Sequence, residues 1–164
     1  MKRSFNLGRL PSGTPHVINY RVTAAQTFKK GALLVDVAAG TVSECGADPV
    51  SVLGIAGEDA FSKPGGTGIA NDPTYITGGN NNEVAVLVAD RSQIFTCRGV
   101  SGATDPATPT LSNVGEQYGV VKDADGSWSL DLLETINVVC EIVDIDIDRK
   151  LFLVKFLESV LALP

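Results

Sequence analysis

Residues 137–156 read "NVVCEIVDIDIDRKLFLVKF", and the alternation within them decides the fold class. Successive side chains of a strand point to opposite faces, so Val143, Ile145 and Ile147 share one side and Asp144, Asp146 and Asp148 the other. Arg149-Lys150 then turns the chain into a closing strand, 151–157. The stretch predicts a hairpin with one apolar face and one acidic face.

Working outward, the same texture recurs. "VINYRVTA", from Val17, is rich in β-branched and aromatic residues and reads as a strand. "ALLVDV" (32–37) and "TVSEC" (41–45) meet through Ala38-Ala39-Gly40, a tight turn with glycine where positive φ is needed. In the strand "SVLGIAGEDA" (51–60), Gly54 and Gly57 mark a bulge or the close approach of a neighbour. "EVAVLVA" (83–89) and "SQIFTCRG" (92–99) predict a hairpin turning at Asp90-Arg91. The first of these is apolar on both faces and so central in its sheet. "YGVVKDADGSWSLD" (118–131) predicts another hairpin around Asp125-Gly126, with Trp128 and Leu130 on one face. Two stretches read as loops: 100–113, and 61–82 with its five glycines, two prolines and four asparagines. The best helical stretch, Ser112–Glu116, is short. The expected fold is all-β, a small barrel or sandwich of about eight strands. Residues 1–16, interrupted by Gly8, Pro11, Gly13 and Pro15, are expected to form an extended basic N-terminal arm with Phe5, Leu7 and Leu10 as its anchoring side chains; 17–164 are expected to form a single β-rich domain.

Charge divides along the same line. Of 13 basic residues, six lie within the first thirty: Lys2, Arg3, Arg9, Arg21, Lys29 and Lys30. The first acid is Asp36, and all 19 acidic residues follow from there. A basic start on an acidic body pairs naturally with an acidic surface, its own neighbour's or another protein's. Six charges spread over thirty residues are not the dense Lys/Arg run of a nucleic-acid arm, so no nucleic-acid partner is expected. No apolar run reaches the roughly 18 residues of a membrane span, since Lys155 and Glu158 interrupt "LFLVKFLESVLALP". The N-terminus also lacks the roughly 7–15-residue apolar core of a signal peptide. The expectation is synthesis in the cytoplasm and no membrane partner.

Chemistry-bearing constellations are few. Asp144, Asp146 and Asp148 sit at the spacing that opens a calcium loop, but Arg149 stands where that loop needs glycine and Lys155 where it needs glutamate. They read as a docking face for a neighbour's arginines, with no metal. His16 is the only histidine, and no GxSxG frames a serine. "KPGGTG" lacks the ending of a phosphate loop. The expectation is no enzyme, no catalytic residue and no cofactor. Cys45, Cys97 and Cys140, an odd and widely spaced set, read as small buried hydrophobes.

"KKGALLVDVAAGTVSECGADPVSVLGIAGEDA" (29–60), "GEQYGVVKDADGSWSLD" (115–131) and "LFLVKFLES" (151–159) together resemble, in layout, the capsid decoration proteins of tailed phages, also called cement or head-stabilising proteins. The resemblance implies a β-barrel-like body, a homotrimer, and a place on the outer surface of the virion capsid, where it clamps neighbouring major capsid proteins. It brings no catalytic or metal residues. The residues expected to contact capsid or neighbour are Lys2, Arg3, Phe5, Arg9, Arg21, Asp144, Asp146 and Asp148. Two other readings are a carbohydrate- or receptor-binding module of a phage fibre, built on loop 61–82 with Tyr75, and another virion part such as a tail tube or head-completion protein.

Overall fold

The computed structural model describes residues 5–7, 16–23, 26–38, 40–60, 83–102 and 105–162. It is all-β, as the alternation predicts, with twelve short strands among the described residues where about eight were expected. Five of them close a barrel: β2 (Val17–Val22), β4 (Thr41–Glu44), β3 (Leu33–Ala38), β5 (Gly54–Ala56) and β6 (Glu83–Val88), in that order around the wall. The β3–β4 hairpin forms as read, with Gly40 at φ +72°. Gly54 is needed for another reason: a Cβ there would run into the Leu87 carbonyl of β6, so only glycine lets the two strands pair.

The other seven strands are β1 (Asn6–Leu7), β7 (Phe95–Cys97), β8 (Gly99–Val100), β9 (Gln117–Lys122), β10 (Trp128–Asp131), β11 (Cys140–Asp146) and β12 (Leu151–Phe156). They run in the order β1-β7-β12-β11-β9-β10-β8. Only Arg98 separates β7 from β8, so this sheet curls until both of its ends meet on one segment, 95–100. That segment pairs with β12 through its first half and with β10 through its second. The Leu130 N–H completes the seam by donating to the Arg98 carbonyl at 2.9 Å. Gly99 permits the curl, because a Cβ there would sit 2.6 Å from the Phe152 ring.

The hairpin expected between 83–89 and 92–99 does not form. β6 has both edges taken, by β2 and β5, and β7 belongs to the second sheet. Alternation reveals a strand's faces but not its partners. At the bend, Asp90 Oδ1 accepts from the Ser92 N–H and Oγ at 2.7 Å and from the Gln93 N–H at 3.0 Å, a compact side-chain turn that sends the chain from one sheet to the other.

The β11–β12 hairpin does form, with a correction to its register. Ile142 lies opposite Val154, yet Asp144 lies opposite Leu153, so Val143 is the extra residue of a bulge. Beyond it, Ile145 pairs with Phe152 on the inner side, while Asp144 and Asp146 keep to the outer face. The strand ends at Asp146, so Asp148 and the 55% exposed Ile147 belong to the turn and not to an alternating face. Ser112–Glu116 gives only a short 3-10 turn, Leu111–Asn113.

One continuous core joins the two sheets, with Trp128, Phe5, Phe95 and Phe152 as its largest fully buried side chains. The junction is also hydrogen-bonded. The Val52 N–H donates to the Val160 carbonyl at 2.6 Å, and the Ala162 N–H donates back to the Val52 carbonyl at 2.9 Å. Glu44, at the end of β4, accepts from the Trp128 indole N–H at 2.9 Å and faces Lys122 Nζ at 2.6 Å.

Candidate functional site

Of the N-terminal segment, Phe5–Leu7 is built into the body. Phe5 is fully buried, its ring stacked on Phe156 with centroids 5.8 Å apart, and Phe95 packs on the other side of that pair at 5.2 Å from Phe156. β1 extends the anchor as a strand on the edge of β7, with Asn6 opposite Thr96 and Leu7 opposite Phe95. Phe5–Leu7, inside the expected arm, thus pairs into the second sheet, and the Phe5 ring is fully buried within its own chain. Lys2, Arg3 and Arg9 lie outside the described residues, as do loop 61–82 and Tyr75.

Arg21 is exposed on β2, opposite Glu83 of β6 and Thr41 of β4. It therefore stands on the first barrel with an acid of its own chain as cross-strand neighbour. Asp144, Asp146 and Asp148 stand on the second sheet, so the site residues divide between the two halves of the molecule.

The tip of the β11–β12 hairpin is an open concavity of about 560 Å³ lined by Asp144, Asp146, Asp148, Ile145, Ile147 and Leu153. Two of the carboxylates are partly occupied by their own turn. Asp144 Oδ1 accepts from the Ile145 N–H at 2.8 Å, and Asp146 Oδ1 accepts from the Arg149 N–H at 2.9 Å. The Arg149 guanidinium, 79% exposed, stands 3.8 Å from Asp146 Oδ2, a surface pair of small energetic weight. Lys150 closes the turn at φ +54°. The surface so formed is acidic at its rim and apolar at its floor. Among the described residues no group of three or more His, Cys, Asp or Glu side chains is placed to hold a metal ion.

The cysteines are buried free thiols, as the sequence predicts. Burial pushes the Cys45 thiol up to about 12, with Glu44 adding to the effect. Burial also raises Cys97 and Cys140, and Cys97 beside Cys140 adds to the second rise. None is a nucleophile at neutral pH. His16 is exposed; its carbonyl accepts from the Val88 N–H at 2.9 Å, and its ring lies near enough to Asp90 to favour that carboxylate's charge.

Two features escape the sequence reading. The Phe95–Phe156 pair lies 61 positions apart and carries no spacing signature, although Phe5 itself reads, with Leu7 and Leu10, as an anchoring side chain. The Glu44–Trp128–Lys122 junction carries no spacing signature at all. Apolar side chains also stand on the surface, Ile136 at 85% exposure and Leu133 at 65% in the β10–β11 loop, with Leu111 at 77% in the 3-10 turn.

Comparison with protein-family models finds no match, and comparison with curated proteins finds none.

Proposed function

We propose that the chain is a structural capsid decoration protein, bound to the outer surface of a phage head and clamping neighbouring major capsid proteins. The observation that carries this reading is the joining of a basic N-terminal segment to an acidic all-β body through a buried aromatic anchor. A rigid body with a charged segment fixed at a known point suits a clamp, because load on the segment passes through Phe5 into the core rather than along a loose tail. A second acidic surface, at the β11–β12 tip, gives a neighbour's basic segment somewhere to lie. Copies on a closed shell bind together, so modest contacts at each site sum to a strong hold. A homotrimer on a three-fold position would repeat each contact at every subunit. Layout likeness to decoration proteins in residues 29–60, 115–131 and 151–159 supports the same reading.

The test is co-sedimentation of the purified chain with expanded phage heads stripped of their decoration protein. Saturable binding in a fixed ratio to the major capsid protein, with heads that then resist heating, is the expected result. No binding to such heads at micromolar concentration, from a chain that is folded by circular dichroism, would overturn the proposal.

A further inference from the structure

Beyond Ile142, the edge of β11 that faces away from β12 carries no strand among the described residues. Up to that point β9 and its lead-in cover it. The Ile142 N–H donates to the Glu116 carbonyl at 3.0 Å, and the Ile142 carbonyl accepts from the Gly115 N–H at 2.8 Å. Pairing stops at Gly115, where φ is +89°, and β11 runs on to Asp146 with β12 alone. Val143 is the extra residue of a bulge, so the next residue to turn its backbone to the open side, as Ile142 does, is Ile145. Its N–H meets no strand there and donates instead to Asp144 Oδ1 at 2.8 Å.

An open strand edge is a template for another chain, and charge restricts which chain can use it. Asp144 and Asp146 flank Ile145 on the outer face, and the concavity of about 560 Å³ opens beside them over Leu153. Two copies of this edge would set acid against acid, which disfavours pairing with itself. The tip does not neutralise its own acids: Arg149 reaches only Asp146, at 3.8 Å, and among the described residues no cation pairs with Asp144 or Asp148. We propose that the edge takes an extended basic segment as an added strand. Lysine or arginine at alternate positions would stand opposite Asp144 and Asp146, while the backbone pairs with Ile145. A cation beside Asp144 draws off its carboxylate and frees the Ile145 N–H for the incoming carbonyl. The segment belongs to a protein that neighbours the chain on the shell, and in this alone the inference rests on the decoration reading.

The test is NMR of the full isotope-labelled chain with a synthetic peptide of alternating lysine and valine, at up to about 1 mM. The expected result is saturable shifts centred on residues 143–148 and Leu153, with the Ile145 N–H exchanging with solvent about tenfold more slowly. A second peptide, with proline in place of each valine, keeps the charge but cannot pair, and it should leave that exchange unchanged. Asp144→Asn together with Asp146→Asn, in a chain folded by circular dichroism, should weaken the first peptide about tenfold. The proposal is overturned by an absence of shifts, by equal protection from both peptides, or by unchanged binding to the doubly substituted chain. Protection of Ile145 that grows with the concentration of the chain alone would make a second copy the occupant and overturn it as well. A chain that takes the peptide as a strand yet does not bind stripped heads supports this inference and overturns the decoration reading.

Discussion

The Trp128 indole N–H donates to one oxygen of Glu44 at 2.9 Å, and Lys122 Nζ sits 2.6 Å from the other. Glu44 ends β4 of the first barrel, whereas Trp128 and Lys122 belong to β10 and β9 of the second sheet. The contact thus ties the two halves through a side chain that is only 11% exposed. Glu44→Ala removes the indole's carboxylate acceptor and the cation's partner together, and should cost about 2–3 kcal/mol. Glu44→Gln keeps an oxygen for the indole and should cost about 1 kcal/mol. Lys122 is 37% exposed, so Lys122→Ala should cost under about 1 kcal/mol. Urea unfolding followed by the fluorescence of Trp128, the only tryptophan, checks the order. A Lys122→Ala chain less stable than Glu44→Ala would show that the ion pair, not the indole bond, holds the junction.

Truncation separates charge from anchor at the N-terminus. Removing residues 1–4 deletes Lys2 and Arg3 and leaves Phe5 in its socket, so stability should be unchanged while binding to stripped heads weakens. Removing residues 1–7 empties a fully buried aromatic site and bares the β7 edge. Phe5→Ala alone should cost about 3 kcal/mol, since it leaves a cavity against Phe156. Equal melting temperatures for the two truncations would refute the anchor.

Much of the fold is legible in the sequence because strand alternation is local. Val84, Val86 and Val88 announce a buried face, and the structure buries all three. Ala38-Ala39-Gly40 and Asp125-Gly126 announce turns, and Gly40 and Gly126 both take positive φ. What alternation cannot carry is partnership. The segment 83–99 reads as a hairpin because two apolar runs flank a polar pair, yet Asp90 uses that pair to change sheets. A bulge at Val143 is equally silent, since an extra residue in an apolar run breaks no visible pattern. The candidate site was legible as charge, in the acids of 144–148, and Phe5 was legible as an anchoring side chain, but not what receives it. A single phenylalanine says nothing of the two rings, ninety and more positions away, that receive it.

Glycine substitutions should rank by what the new methyl meets. At Gly54 it meets the backbone of Leu87, which cannot move without breaking the β5–β6 ladder, so Gly54→Ala should cost more than about 3 kcal/mol or prevent folding. At Gly99 the obstacle is the Phe152 ring, which can shift at the expense of core packing, and about 2–3 kcal/mol is expected. At Gly40 nothing lies within 4 Å, and only the positive φ resists, for about 1 kcal/mol. Chemical denaturation of the three variants gives the ranking; Gly40→Ala as the most damaging would break the argument.

Asp90 makes the bend between sheets sensitive to acid. Burial alone would raise its carboxyl, but the hydrogen bonds from the Ser92 side chain and the Ser92 and Gln93 N–H groups, with the nearby His16, outweigh it and hold the group below its ordinary value. A carboxylate depressed on folding contributes stability that is present above its unfolded value, near 3.9, and lost as pH falls through the folded value. Asp90→Asn keeps an oxygen for the same N–H groups but cannot titrate. The stability gap between native chain and variant should therefore be present above about pH 5 and close as the pH falls below about 4. His16→Ala should bring the Asp90 carboxyl back toward its ordinary value, read from its carboxyl carbon shift by NMR. A gap that widened in acid would mean that the native chain holds the protonated form better, and that the turn is not built on the carboxylate.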